Sequence, residues 1–311
     1  MTVDAADGFG FFVLHRLALG VEPIDAVTGD PVGRAVRVER EVPELPGRRP
    51  RRGAARSGAL DPLGRPAGAA LETNGTARFK LRFTLPHGRR AGTIRPTVPP
   101  GRPPGTPPSL VVRVEDPRRR HVPRRFEVQL WTLAEVEAAD RLPPAAPGPY
   151  VPVGSRLLRP WLLPGAAYPM TRTATGLRGR VVDAAGARVP WPRVEARGPG
   201  DLVVGRAHGD ERGEFLLLVT GTGILPPPPP STLDVQLVLR GPDPAAGAGD
   251  PASPPLEPVT RSSVPPAPGD LDSPLLRGET PPAGYVAAAR LALTIPVGRV
   301  LAQAAPFPFT P

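Results

Sequence analysis

The sequence predicts an all-β protein made of two similar strand-and-turn units, and three observations carry that expectation. The stretch Leu177–Val219 reads as a strand, a tight turn at Asp183–Gly186, a second strand, a polar turn and a third strand. A fainter copy lies upstream, where Asp25-Ala-Val-Thr-Gly29-Asp-Pro-Val32 stands for Asp183 to Val189, and Glu72 to Phe79 stands for Gly209 to Phe215. Apolar residues in both copies alternate with period 2, the spacing of half-buried strands.

The elements follow in order. Phe9 to Ile24 is apolar enough for a strand, with a break near Gly20. Thr28-Gly-Asp-Pro31 is a turn, since glycine supplies positive φ and Pro31 presets the exit. Ala35 to Arg40 alternates Val36 and Val38 with charges, whereas Pro43 to Ala69 has no apolar period and reads as a long loop. Asn74-Gly75 is a hairpin dipeptide. Phe79, Leu81 and Phe83 share one face, and Pro86 to Pro108 is a second proline-rich loop. Strands are expected at Leu110–Val114 and Arg125–Trp131, ending a first domain over 1–131.

Thr132 with Glu135 three residues on makes a capping box for a short helix, Thr132–Asp140. It opens a proline-rich ordered linker, 132–175, which holds Tyr150, Trp161 and Tyr168. A second domain, 176–300, has strands at 177–182, 193–196, 202–207, 214–219 and 233–239. A proline run at 226–230 and an insertion at 241–277 interrupt it before a closing strand within 284–296. Residues 301–311 form a tail alternating proline and phenylalanine. The two domains are expected to be separable within 140–175.

Composition narrows the function classes. Forty-nine prolines and 35 glycines exceed a quarter of the 311 residues. The prolines are clustered between apolar, β-branched runs, which indicates strands joined by stiff extended loops. With no cysteine there is neither disulfide nor thiolate metal site. Acidic residues stand near the start, where a signal peptide needs basic ones, and no window reaches a membrane span of about 18 apolar residues. A soluble, cytoplasmic protein is expected, one that can leave the cell as part of a particle. The net charge of +10 is almost wholly arginine, Lys80 being the one lysine. That pattern is in part the coding bias of a GC-rich bacterial genome.

The residues Gly179-Arg-Val-Val-Asp183, Gly186, Val194 and Gly209-Asp-Glu-Arg-Gly213-Glu-Phe215 carry a resemblance. Over 177–219 the chain resembles the carboxypeptidase regulatory-like domain, and over 24–83 it does so more weakly. The resemblance implies two tandem immunoglobulin-like, prealbumin-like β-sandwich domains, here with long Pro/Arg-rich loops, and it places Phe79 and Phe215 as matching core markers. It specifies fold far better than function. Pro190-Trp-Pro192 departs from the family's small residues. The Tyr-Arg-Gly-Ser ending of the related hydroxyisourate hydrolases is missing, so that activity is not implied.

No catalytic constellation is visible, and no cofactor, metal or small-molecule substrate is expected. His15, His87, His121 and His208 lie at no metal-binding spacing, and Gly209–Glu214 reads as a turn rather than a calcium loop. Two kinds of partner contact are expected. One is the tail, through Phe307 and Phe309, which either docks into a partner's groove or packs on its own domain. The other is the basic cluster Arg118, Arg119, Arg120, Arg124 and Arg125, with a second cluster at Arg48, Arg49, Arg51, Arg52 and Arg56. These arginines can grip phosphates, or they are a solvated hairpin turn. The function expected is therefore a non-catalytic structural or adaptor protein, with protein partners in a larger assembly such as a phage tail-like contractile injection particle. The alternatives are an adhesive module that recognises a glycan or protein, and a basic nucleic-acid-associated protein.

Overall fold

The computed structural model describes residues 17–33, 36–41, 68–73, 78–82, 107–141, 151, 156–220, 230–246, 250–262 and 272–311. The expectations for His15, His87, the Arg48–Arg56 cluster, Asn74-Gly75 and most of the proline run at 226–230 fall outside them. Within them the chain is all-β, strands predominating, and no helix is long and apolar enough to cross a membrane.

The first unit contains β1 (Leu17–Val21), β2 (Ile24–Asp25), β3 (Arg37–Glu41), β4 (Gly68–Ala70), β5 (Glu72–Thr73), β6 (Phe79–Arg82), β7 (Ser109–Glu115) and β8 (Arg124–Gln129). Helix α1 (Leu133–Asp140), β9 (Leu157–Leu158) and β10 (Trp161–Leu162) follow. The second contains β11 (Gly176–Val182), β12 (Arg193–Arg197), β13 (Val203–His208), β14 (Glu214–Val219), β15 (Thr232–Pro242), β16 (Leu256–Val259), β17 (Tyr285–Ala287), β18 (Leu291–Pro296), β19 (Val300–Ala302) and β20 (Phe307–Pro308).

The two units share one plan. Strand β3 lies between β4 and β7 as β12 lies between β13 and β15, and β1 pairs with β6 as β11 pairs with β14. The shared turn explains the shared motif. The Asp25 carboxylate accepts from the Val27 N–H at 2.8 Å, and the Asp183 carboxylate accepts from the Ala185 N–H at 2.9 Å. Each turn then closes on a glycine in the left-handed region, Gly29 at φ 76° and Gly186 at φ 79°, where a Cβ is disfavoured.

The core markers fall in one register. Phe79 sits opposite Val21 and Phe215 opposite Gly179, and both phenylalanines are buried. In the first unit a core including Leu19, Val21, Val38, Val112, Val114, Phe126, Leu158 and Leu162 lies between the β5-β6-β1-β9 and β16-β8-β7-β3-β4 sheets. In the second, Leu177, Val181, Val194, Phe215, Leu217, Leu237, Leu239 and Ile295 form the core inside a sheet running β17-β15-β12-β13-β14-β11-β19. Helix α1 has the expected capping box between Thr132 and Glu135, and its buried residue, Val136, packs beside Trp131 and Val151.

Three segments read as connectors are structural strands. Residues 157–162 are not linker. Strand β9 runs parallel to β1 and β10 parallel to β2, which closes the first unit. The tail does the same for the second, β19 and β20 both running parallel to β11. Phe307 and Phe309 are therefore 7% and 3% exposed inside the second core, not free to dock elsewhere. Burial of both rings decides for the self-packed tail. Third, the insertion of the second unit crosses back. Its β16 pairs in parallel with β8, Glu257 opposite Phe126, and its Leu275 and Leu276 pack on the first core. A cut within 140–175, the segment expected to separate the domains, therefore parts β8 from its edge strand.

Candidate functional site: the junction between the units

The arginine cluster of 118–125 lies at this junction, and most of it is committed to carboxylates. Arg119 pairs with Glu211 of the second unit, Arg120 with Asp116 at 3.1 Å and Arg125 with Glu41 at 2.6 Å. Arg118 and Arg119 are exposed, as turn residues would be. Arg124 is the correction to a solvated cluster, for its side chain is wholly buried. Alternation along β8 explains this: Arg124, Phe126 and Val128 share the inward face.

Arg124 is the centre of a clamp. Its guanidinium makes a bidentate pair with Glu257 of β16. It also donates to the carbonyls of Trp161 at 2.9 Å, Leu275 at 2.6 Å and Leu276 at 2.5 Å. Glu257 accepts a further, longer contact from Arg193 of β12 at 3.4 Å. One buried carboxylate thus ties β8, β16 and β12 together. Burial pulls the Arg193 guanidinium down, with Glu257 acting in the opposite sense. Tyr285, over which Arg193 lies, is pushed up to about 12, chiefly by burial. Beside them His208 is 1% exposed, with Nε2 3.1 Å from the Gly278 carbonyl. Burial, then the charges of Arg193 and Arg124, hold its pKa well below the ordinary imidazole value.

A second network joins the hairpin 116–121 to the Asp25 turn. The ring nitrogens of His121 face Asp116 at 3.2 Å and Asp25 at 3.1 Å. The Tyr168 hydroxyl donates to Asp25 at 2.9 Å. Burial opposes ionisation of Asp25, but the hydrogen bonds from His121, Val27 and Tyr168 outweigh it and hold the carboxyl below its usual value. Tyr168 is pushed up, by burial and then by Asp25. With both ring nitrogens of His121 engaged, the arrangement suits a tie better than a proton relay. Among the described residues no group of three histidine or carboxylate side chains is placed to share a metal ion.

Between these networks lies a cavity of about 370 Å³, lined from the first unit by Asp116, Arg119 and His121 and from the second by Arg188, Trp191 and Arg212. Two of its residues hold strained backbone: Trp191 at φ 55° and Arg119 at φ 57°. Left-handed backbone at a bulky residue costs on the order of 1–3 kcal/mol and persists only when neighbours enforce it. Trp191 is enforced from three sides. Its indole donates to the Pro251 carbonyl at 3.1 Å, its backbone N–H to Asp210 at 2.9 Å, and its carbonyl accepts from the Tyr285 hydroxyl at 2.9 Å. The Pro190-Trp-Pro192 departure in the sequence falls on this anchor. Sequence reasoning missed Glu257, His208 and Trp191 as junction residues. The one signal for them was a large aromatic between two prolines, since the others stand in unremarkable contexts.

No protein-family model, curated protein or solved structure matches the chain.

Proposed function

We propose that the chain is a non-catalytic structural component of a macromolecular assembly, in which its two units act as one rigid connector. The observation that supports this is the exchange at the junction: β16 of the second unit completes a sheet of the first, and the Arg124–Glu257–Arg193 clamp is buried across it. Buried charge of this kind adds little net stability but fixes register, which suits a part whose value lies in holding two modules at a set angle. By analogy of class, a contractile injection particle is one assembly in which such rigid β modules join sheath, cap or baseplate, and the carboxypeptidase regulatory-like resemblance belongs to the same reading. The test is sedimentation of the tagged chain from native cytosol. Co-migration with a large particle, lost when Glu257→Ala loosens the junction, is expected. A chain that sediments alone at native abundance overturns the proposal.

A second reading rests on the cavity. Trp191 with Arg188 and Arg212 beside it offers an aromatic wall and cationic groups, the chemistry of a binding module for a protein or glycan. Binding of a glycan array or of cell-surface protein that is abolished by Arg188→Ala favours this module over the connector. The basic nucleic-acid reading has less support, because Arg119, Arg120, Arg124 and Arg125 already hold carboxylates.

A further inference from the structure

The internal duplication shows what each edge strand should carry. In the first unit the strand after β7 is β8, and its outer edge is covered by β16. In the second unit the corresponding strand is β18, which pairs with β15 over Thr232–Pro296 to Leu237–Leu291. Among the described residues no strand covers the other side of β18. The core is open there too: Leu291 and Leu293 pack against it but are only partly buried.

The register shows which backbone groups are unspent. The Val297 N–H bonds the Ser231 carbonyl, so the odd positions Leu291, Leu293 and Ile295 face β15. Ala292 and Thr294 point their N–H and C=O groups outward. The strand Leu-Ala-Leu-Thr-Ile-Pro carries no charge, and its proline, the residue that ordinarily blunts an edge, stands at its last position.

We propose that β18 pairs antiparallel with β18 of a second copy of this chain, about a two-fold axis at Leu293. The strand is self-complementary in that register. Ala292 of one copy meets Thr294 of the other, and each such pair exchanges two hydrogen bonds. Arg290 lies opposite Pro296 of the second copy, where the carbonyl accepts and the missing proline N–H is not needed at the centre of the ladder. Leu291 and Leu293 of the two copies then meet over the gap and make the second cores continuous. An unrelated strand would satisfy the hydrogen bonds, but the fit of the strand to itself and the leucines left uncovered at the axis favour a second copy. This pairing stands on the edge geometry and does not depend on the connector role.

Sedimentation equilibrium of the full chain at tens of micromolar tests it. A dimer is expected, and a monomer overturns it. Ala292→Pro removes an outward N–H without touching a bond to β15, so it should return the mass to that of one chain with the thermal transition still cooperative. A dimer unchanged by Ala292→Pro also overturns the proposal. Position decides where stability is in doubt. The chain has no cysteine, and Leu293 should face itself across a non-hydrogen-bonded pair, where Cα atoms lie about 4.5 Å apart, within disulfide range. Mild oxidation of Leu293→Cys should cross-link most of the dimer, and Ala292→Cys several-fold less. Equal cross-linking at both positions sinks the register.

Discussion

The two units have the same strand order but different degrees of self-sufficiency. The second covers its β11 edge with its own β19 and β20, and Phe307 packs against Phe215 in its core with ring centroids 5.7 Å apart. Gly179 makes that possible, because a Cβ there would lie 2.4 Å from the Phe307 ring. The first unit closes its β1 edge with its own β9 but borrows β16, Leu275 and Leu276 from the second. The two units therefore share a strand order while one depends on the other. Stability in this chain should accordingly be directional: damage to the second unit reaches the first, and the reverse less so.

The harshest way to break this asymmetry is truncation. A chain ending at residue 175 lacks Glu257 and leaves Arg124 buried without its carboxylate, so it should show no cooperative unfolding transition by circular dichroism. A chain beginning at residue 165 should keep one. Cooperative unfolding of the first fragment would show that the borrowed strand is dispensable. Next in size is Glu257→Ala, which strands Arg124 and Arg193 together. Breaking a buried pair in this way costs about 3–5 kcal/mol. Denaturant titration should register it, with hydrogen exchange rising in β8 before β14; exchange confined to β16 would mean that the clamp does not couple the units.

Phe215→Ala should cost about 3–5 kcal/mol, the range for deleting a buried phenylalanine. Phe79→Ala should fall at or below the low end, because among the described residues no ring pairs with Phe79 as Phe307 does with Phe215. Equal losses would make the units equally packed. His208 gives a pH-dependent comparison. Its folded pKa lies below the unfolded value of about 6.5, so the unfolded chain takes the proton first and stability falls as pH drops below that value. The slope is at most about 1.4 kcal/mol per pH unit for one group. His208→Gln should flatten it between neutral pH and the onset of carboxylate titration; an unchanged slope would place the acid sensitivity elsewhere. Smallest are the two turns. Asp183→Ala removes only the turn bonds, at about 1 kcal/mol. Asp25→Ala also unties His121 and Tyr168 and should cost more, and a smaller loss than at Asp183 would demote that network.

Long antiparallel strands were legible in the sequence because period-2 alternation survives at β8, and because β7 and β14 carry apolar, β-branched or aromatic runs bounded by turn residues. The aspartate–glycine turns were legible because glycine at positive φ leaves a residue-level mark. Strands β9, β10, β16 and β20 were not. Each is two to four residues long and contains a proline or has one within two residues, so alternation cannot develop and the segment reads as loop. Proline is tolerated at such edges because its missing N–H faces away from the ladder. The junction was hidden for another reason. Arg124 and Glu257 are 133 residues apart, and nothing in either local sequence announces a buried ion pair.

The borrowed strand has a consequence for the order in which the protein is made. Leu162, the last strand residue of the first unit's own segment, leaves the ribosome 95 residues before Glu257. At roughly 5–20 residues per second that interval is roughly 5–20 s. Throughout it β8 lacks β16 and Arg124 lacks Glu257, so the half of the chain that is synthesised first cannot finish folding until much of the second half has been made.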